Sequence, residues 1–304
     1  MFHARPLLMC ARAPLLLAIG CAFGLVAADR SAVGAEAPPH AGESAARIGE
    51  LTAEPLKAGL YLLSSAAGNS VLRLSGNGLI LVDGQRSADY ADLIAVIRKI
   101  DKQPIVAVIN TNHDAVHTGT NAQFLAEKVP VVGQRNELAR PAAAGGNAPP
   151  SVTFEQNESM HFGAVEVRLL HFGRAHTDAD TVVYFPDSKV VALGELYAPR
   201  PDPDYAAGGS LLEWRTALAD ALQLDFNLAI PGRGPPVSRA DVESLRTKLD
   251  ALVERAARSV ANGTPKDRFA RALEAGDSGS QLDFNAAQID GFYDELVRAK
   301  TRAR

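Results

Sequence analysis

Cysteine is almost missing from this chain: two in 304 residues, Cys10 and Cys21, both close to the N-terminus. Everything beyond residue 21 has neither disulfides nor thiolate metal ligands, so its stability has to come from its core. Strong charge of either sign is missing too. A net charge of −4 gives no reason to expect nucleic acid or an anionic membrane as partner. The apolar run "APLLLAIGCAFGLVAA" (13–28) falls short of the ~20 residues that a spanning helix needs. It follows the basic segment "MFHARPLLMCAR" and ends in small residues, with cleavage points after Ala28 or Ala35. That is the grammar of a secretory signal peptide. The expectation is a periplasmic or secreted protein with no membrane contact once the leader is removed, and with no cysteine in the mature chain.

What is present is ordinary globular material, 47 % hydrophobic and 22 % charged. Residues 29–56, rich in Ala, Pro, Gly and Glu, read as a flexible lead-in. From Gly59 onward, "LYLLSS", "SVLRLS" and "LILVDG" form a strand meander bounded by Gly, Asn and Ser. A helix opens at Ser87, with Tyr90, Leu93, Ile94, Ile97 and Ile100 on one face. "PIVAVIN" (104–110) is a continuous apolar strand of the kind buried on both faces. A short helix, "TNAQFLAEK", and a buried strand, "VPVVG", follow, then a loop over 141–150. "VEVRLLHF", "TVVYF" and "KVVALG" are three further strands. Ser210 with Glu213, and Ser238 with Asp241, have the spacing of capping boxes at two helix starts. One or two smaller helices end the chain. Strands in meanders, each set closed by helices, predict two sheets packed face to face with helices outside: an α+β fold, a four-layer αββα sandwich. The divisions expected are a signal peptide (1–28), a lead-in (29–56), one main domain (57–262) and a C-terminal helical extension (263–304).

The chemistry concentrates in "INTNHDAVHTGTN" (109–121), where a buried strand runs into two histidines, an aspartate and a glycine turn. "LILVDG" before it, and "GRAHTDADTVVYFPDSKVVALGELY" and "IPGRGPP" after it, supply the frame. Together, over roughly residues 57–260, these stretches resemble the metallo-β-lactamase fold of metal-dependent hydrolases. The ligands themselves depart from that pattern. Aligned on "HTGTN", the family's His-x-His-x-Asp-His falls on Asn112, His113, Asp114, Ala115, Val116 and His117, and only the last is retained. Val116 has no donor atom with which to bind anything. Glu195 stands for the bridging aspartate and Arg233, a permanent cation, for the last histidine.

The resemblance implies one divalent ion rather than two, held by Asp114, His117, His176 and Glu195. Zinc is the expected metal, with manganese or iron as alternatives, and no metal at all stays open. Asp114 or Glu195 would be the catalytic carboxylate that orients a water for attack on an ester, lactone, amide or phosphoester. Arg233, Asn112 and Arg174 are the candidates to contact substrate. Asp83 would support the metal loop from behind, and His113 would point away from the site. Two other functions fit the same residues. One is a relative without hydrolytic activity, whose cleft binds a small anion or a partner through Arg233 and Arg174. The other is a metal-free acid–base hydrolase. A Glu195–Arg233 ion pair would take a carboxylate away from a metal. The partner expected is a small molecule, and the oligomeric state is open.

Overall fold

The computed structural model describes residues 45–57, 59–139, 148–274 and 284–302, all within one compact unit spanning Pro39–Arg304. The proposed signal peptide, most of the lead-in and most of the 141–150 loop lie outside the described residues. Among those described, no helix is long and apolar enough to cross a membrane.

The first sheet takes its strands in chain order: β1 (Ala46–Ile48), β2 (Leu51–Pro55), β3 (Leu60–Ser64), β4 (Asn69–Ser75), β5 (Gly78–Val82), β6 (Ile105–Ile109), β7 (Val131–Gln134) and β8 (Val152–Phe154). The pairs from β1 to β5 are antiparallel; β5 to β8 run parallel. α1 (Tyr90–Ile100), α2 (Ala115–Thr118) and α3 (Asn121–Ala126) occupy the crossovers. The second sheet has the order β13-β12-β11-β10-β9, built from β9 (Asn157–Phe162), β10 (Val165–Leu170), β11 (Val182–Phe185), β12 (Val190–Gly194) and β13 (Leu228–Pro231). Its pairs are antiparallel except β12 with β13. α4 (Leu211–Ala221), α5 (Arg239–Ala261), α6 (Lys266–Glu274) and α7 (Ala286–Arg302) complete the chain.

Period-two alternation builds the layers. In β3, Leu60 and Leu62 face the second sheet, where they meet a core that includes Val167, Phe185 and Val190. Tyr61 and Leu63 of the same strand face outward, into a cluster with Leu93 and Ile97 of α1 and Phe124 of α3. The outer face of the second sheet packs on Trp214 and Leu218 of α4 and on Val242 and Leu245 of α5. The result is the αββα sandwich that the alternation of elements predicts.

Elements also form where the sequence reading named none, β8 and the short α2 among them. Residues 46–55, within the supposed lead-in, form β1 and β2; Leu51 and Ala53 of β2 are buried against α1. β9 also escapes the hydrophobic pattern, because "NESMHF" is largely exposed and is held through its pairing with β10.

The packing gathers the carboxyl ends of β5, β6, β12 and β13 at one edge of the sandwich. Asp83 follows β5, the 110–121 loop follows β6, Glu195 follows β12, and Gly232 and Arg233 follow β13.

Candidate functional site

Asp83 is the foundation of this edge. Its backbone is left-handed, with φ 61°, a conformation that non-glycine residues adopt only when their surroundings fix it. Here they do. Oδ1 accepts from the Thr111 amide and Oδ2 from the Thr111 hydroxyl, both at 2.8 Å. Oδ2 also stands 3.0 Å from Nδ1 of the fully buried His117, off the line of the ring N–H, so the contact is an ion pair rather than a linear hydrogen bond. On the other side of the ring, Nε2 of His117 is 3.3 Å from Oε1 of Glu195. Gly232 closes this pocket: a Cβ there would lie 3.0 Å from both Glu195 Oε1 and His117 Cε1, so a side chain would wedge the pair apart.

A second pair stands beside the first. Asp114 takes the N-cap position of α2, yet its carboxylate does not cap. It turns instead to His176, whose Nε2 lies 3.1 Å from Oδ2. Nδ1 of His176 is tied at 2.7 Å to the carbonyl of Asp202. Asn112 holds the loop in shape by accepting the Asp114 amide at 2.8 Å, while its own Nδ2 is buried without a hydrogen-bond partner among the described residues. His113 stays at the margin, 3.9 Å from Asp114 Oδ1.

Charge follows from this geometry. Burial disfavours the imidazolium form of His117, but Asp83 and Glu195 outweigh it and push the pKa up to about 10. Burial likewise opposes His176, and the carboxylates of Asp114 and of Asp202, whose Oδ1 is 3.5 Å from Nδ1, outweigh it, to about 11. The carboxylates move the other way. Burial works against ionised Asp114, and the His176 hydrogen bond overcomes it, holding the group near 2. Glu195 is also held low, against its burial, by His117 and then by Arg233. At neutral pH each half of the site is therefore an imidazolium with a carboxylate at its Nε2, Glu195 for His117 and Asp114 for His176, and His117 has Asp83 at Nδ1 besides.

The four residues expected to share an ion thus come to the same edge of the fold, but as two pairs. Both forward-facing Nε2 atoms are occupied by carboxylates. Among the described residues, no three histidine, cysteine, aspartate or glutamate side chains are grouped as a metal centre requires. As placed, this donor set does not fit a bound ion.

The arginines divide. Arg233 Nε is 3.7 Å from Glu195 Oε1, beyond hydrogen-bond reach, and its side chain is 54 % exposed. It lines a cavity of about 310 Å³ together with Tyr197, Arg200 and Asp202. Arg174, expected at the substrate, lines neither this cavity nor its neighbour. Its guanidinium is committed to Glu213, with NH2 2.6 Å from Oε1. The same bond explains why Ser210 and Glu213 do not form a full capping box. Ser210 Oγ accepts the Glu213 amide, but the Glu213 carboxylate is engaged by Arg174, and the Ser210 amide donates to Ala175 O.

A second cavity, of about 350 Å³, is lined by Asp114, His176 and Asp202, by Tyr205, and by Asn285 and Gln288 from the start of the last helix. Asp202 lines both cavities. The motif frame missed it, because Asp202 reaches His176 Nδ1, by its carbonyl at 2.7 Å and its Oδ1 at 3.5 Å, from a loop outside the family's motif stretches. The only signal was that "RPDPDYAAGG" (200–209) is a Pro- and Gly-rich loop of the sort that carries contacts at a cleft mouth.

Comparison with known proteins agrees with this frame. The family model "Metallo-beta-lactamase superfamily" matches residues 66–253. The chain is 25 % identical over 181 residues to the Metallo-beta-lactamase type 2 of Bacillus cereus, covering 58 % of this chain and 70 % of that protein. It is 21 % identical over 225 residues to the 2,4-dinitroanisole O-demethylase subunit alpha of Nocardioides sp. (strain JS1661), covering 72 % and 69 %. The fold is similar to that of the metallo-β-lactamase FIM-1 from Pseudomonas aeruginosa in its mono-zinc form, with a TM-score of 0.58, 19 % identity, and coverage of 66 % of this chain and 95 % of the other. Members of this superfamily have hydrolase-like functions and typically bind zinc. With the matched span covering more than half of its residues, the chain belongs to the metallo-β-lactamase superfamily.

Proposed function

We propose that the cleft binds a small molecule carrying an anionic group, with Arg233 as its anchor, in a chain that keeps the hydrolase fold of its superfamily. The observation that carries this is the state of Arg233. Its guanidinium is half-exposed, lines the 310 Å³ cavity, and stands too far from Glu195 to spend its N–H donors there. A planar fork of such donors suits a carboxylate, sulfate or phosphate. The two imidazoles, by contrast, are already matched by carboxylates. A thermal-shift series with acetate, sulfate and phosphate tests the anchor. At least one of these anions should raise the melting temperature of the wild type by a few degrees and leave Arg233→Ala unchanged. If none gives an Arg233-dependent shift, the anchor is refuted.

Both imidazoles favour a second function, hydrolysis of an ester, lactone, amide or phosphoester at one divalent ion. Each ring is held from behind at Nδ1, by Asp83 or by the Asp202 carbonyl, and turns Nε2 forward. Metal-ligating histidines are oriented in the same manner. Asp114, His117, His176 and Glu195 would have to leave their pairs and converge before any ion, zinc, manganese or iron, could be held. The metal content of the purified chain decides between the two.

The site of action we infer is outside the cytoplasm, on the strength of the basic-then-apolar N-terminal sequence. Sequencing the N-terminus of protein recovered from the periplasm checks it: a start at residue 29 or 36 supports export, and an intact leader refutes it.

A further inference from the structure

The helix α7 lies wholly beyond the span matched by the family, which ends at residue 253. Its buried stripe is unusual in carrying a carboxylate, Glu295, between Phe292 and Leu296. A helix needing only to pack would place an apolar residue there, since a buried carboxylate is costly unless hydrogen-bonded. Glu295 is hydrogen-bonded. One oxygen accepts from the Tyr205 hydroxyl at 3.1 Å and the other from Ser210 Oγ. One turn earlier, Gly291 lies against the Tyr205 ring so closely that a Cβ would fall 2.4 Å from it. Near the helix start, the Gln288 amide reaches the carbonyl of Pro203.

These partners all belong to residues 203–210, and that segment is bonded on its other side to the His176 loop. The Asp204 amide donates to the His176 carbonyl at 2.8 Å, and the Ser210 amide to the Ala175 carbonyl at 2.9 Å. Immediately before it comes Asp202, whose carbonyl holds Nδ1 of His176. The backbone of residues 202–210, hydrogen-bonded to Glu295 on one side and to the His176 loop on the other, therefore joins the interior of α7 to the imidazole. The same helix start contributes Asn285, Ala287 and Gln288 to the cavity that Asp114 and His176 line.

We propose that α7 is a working part of the cleft: Glu295 is a positioning residue for His176, acting through Tyr205 and Ser210, while Asn285 and Gln288 set the space beside that imidazole. Pro203, Tyr205, Ala206 and Ala287 give that space an apolar side, and the Asp114 and Asp202 carboxylates, the Asn285 and Gln288 amides and the His176 imidazole give it donors and acceptors, so the substituent it suits is a small one that carries a hydrogen-bonding group such as a hydroxyl. The proposal rests on the cleft itself and not on which anion Arg233 holds, so the two stand or fall separately.

The test uses the full chain with nitrogen-15-labelled histidine, at one fixed pH, and follows the ring N–H signals by nuclear magnetic resonance. His117, buried on Asp83, is the internal control. In Glu295→Ala the His176 Nδ1 proton should exchange several-fold faster or its signal vanish, with His117 unchanged. Tyr205→Phe, which keeps the ring against Gly291 and removes only a hydroxyl, should show the same change to a lesser degree. Glu295→Gln, which retains an acceptor, should restore most of the wild-type signal. The proposal is overturned if His176 is unaffected in both Glu295→Ala and Tyr205→Phe. It is equally overturned if His117 and His176 change together, because the helix then supports the whole fold and not this imidazole.

Discussion

Nε2 of His117 lies 3.3 Å from Oε1 of Glu195, and both side chains are almost entirely withdrawn from solvent. With Asp83 on the far side of the ring, one buried cation lies between two buried carboxylates. His117→Ala removes the cation between those carboxylates and leaves only the half-exposed Arg233, 3.7 Å from Glu195, to offset them. Truncating one partner of a buried pair is strongly destabilising, by about 3–5 kcal/mol. Urea unfolding should show that loss for His117→Ala. Arg233→Ala removes a half-exposed group and should change stability by under ~1 kcal/mol.

The pH dependence of stability follows from the same groups. The folded pKa values of His117 and His176, about 10 and 11, lie above the unfolded value near 6.5, so their contribution is complete below pH 6.5 and disappears as pH rises toward 10–11. Asp114, held near 2 in the fold against 3.8, contributes above pH 3.8 and loses its contribution as pH falls through 2. Unfolding free energies measured from pH 3 to 10 should therefore fall progressively above pH 6.5. A flat profile from pH 6.5 to 10 would contradict the pairing.

Glu137 supplies a separate pH term. Burial raises its pKa to about 8, although Oε2 accepts from Asn110 and Oε1 from the Gln134 amide. The fold thus holds a proton that the unfolded chain releases near 4.5, and stability declines as pH rises from 4.5 to 8. Glu137→Gln removes the ionisation. The Asn110 amide has a buried Oδ1 without a hydrogen-bond partner among the described residues, so turning it over would accept the new NH₂ group. The variant should be more stable than the wild type by on the order of 1–3 kcal/mol at pH 8, with a smaller gain at pH 5.

Gly232→Ala tests the closeness of the loop over the His117–Glu195 pair. The added methyl would meet both side chains at 3.0 Å, tighter than ordinary contact. Overpacking of this kind costs about 1–3 kcal/mol, and thermal unfolding should record it. A neutral outcome would mean that the pair has room to separate.

Much of the sandwich could be read from the chain because its strands are apolar on both faces. "LYLLSS", "LILVDG" and "PIVAVIN" became β3, β5 and β6, and Asp83, Asn112, Asp114, His117, His176, Glu195 and Arg233 all come to the one edge that the motif frame indicated. What the frame could not report was who pairs with whom. His117 finds Asp83 and Glu195, and His176 finds Asp114, through packing between distant segments. Arg174 looked available beside His176, but Glu213, brought alongside by the first turn of α4, claims it. Asp202 contributes a carbonyl and α7 contributes through a neighbouring loop, and neither leaves a mark in residue spacing. β1 and β2 were obscured by short length and mixed composition.

The most direct measurement is the metal content of the purified full chain, wild type and His176→Ala, after incubation with zinc or manganese and removal of excess ion. The pairing of each imidazole with a carboxylate predicts far less than one ion per chain in both proteins. Close to one ion per wild-type chain, lost in His176→Ala, would contradict it and establish the single-metal hydrolase instead.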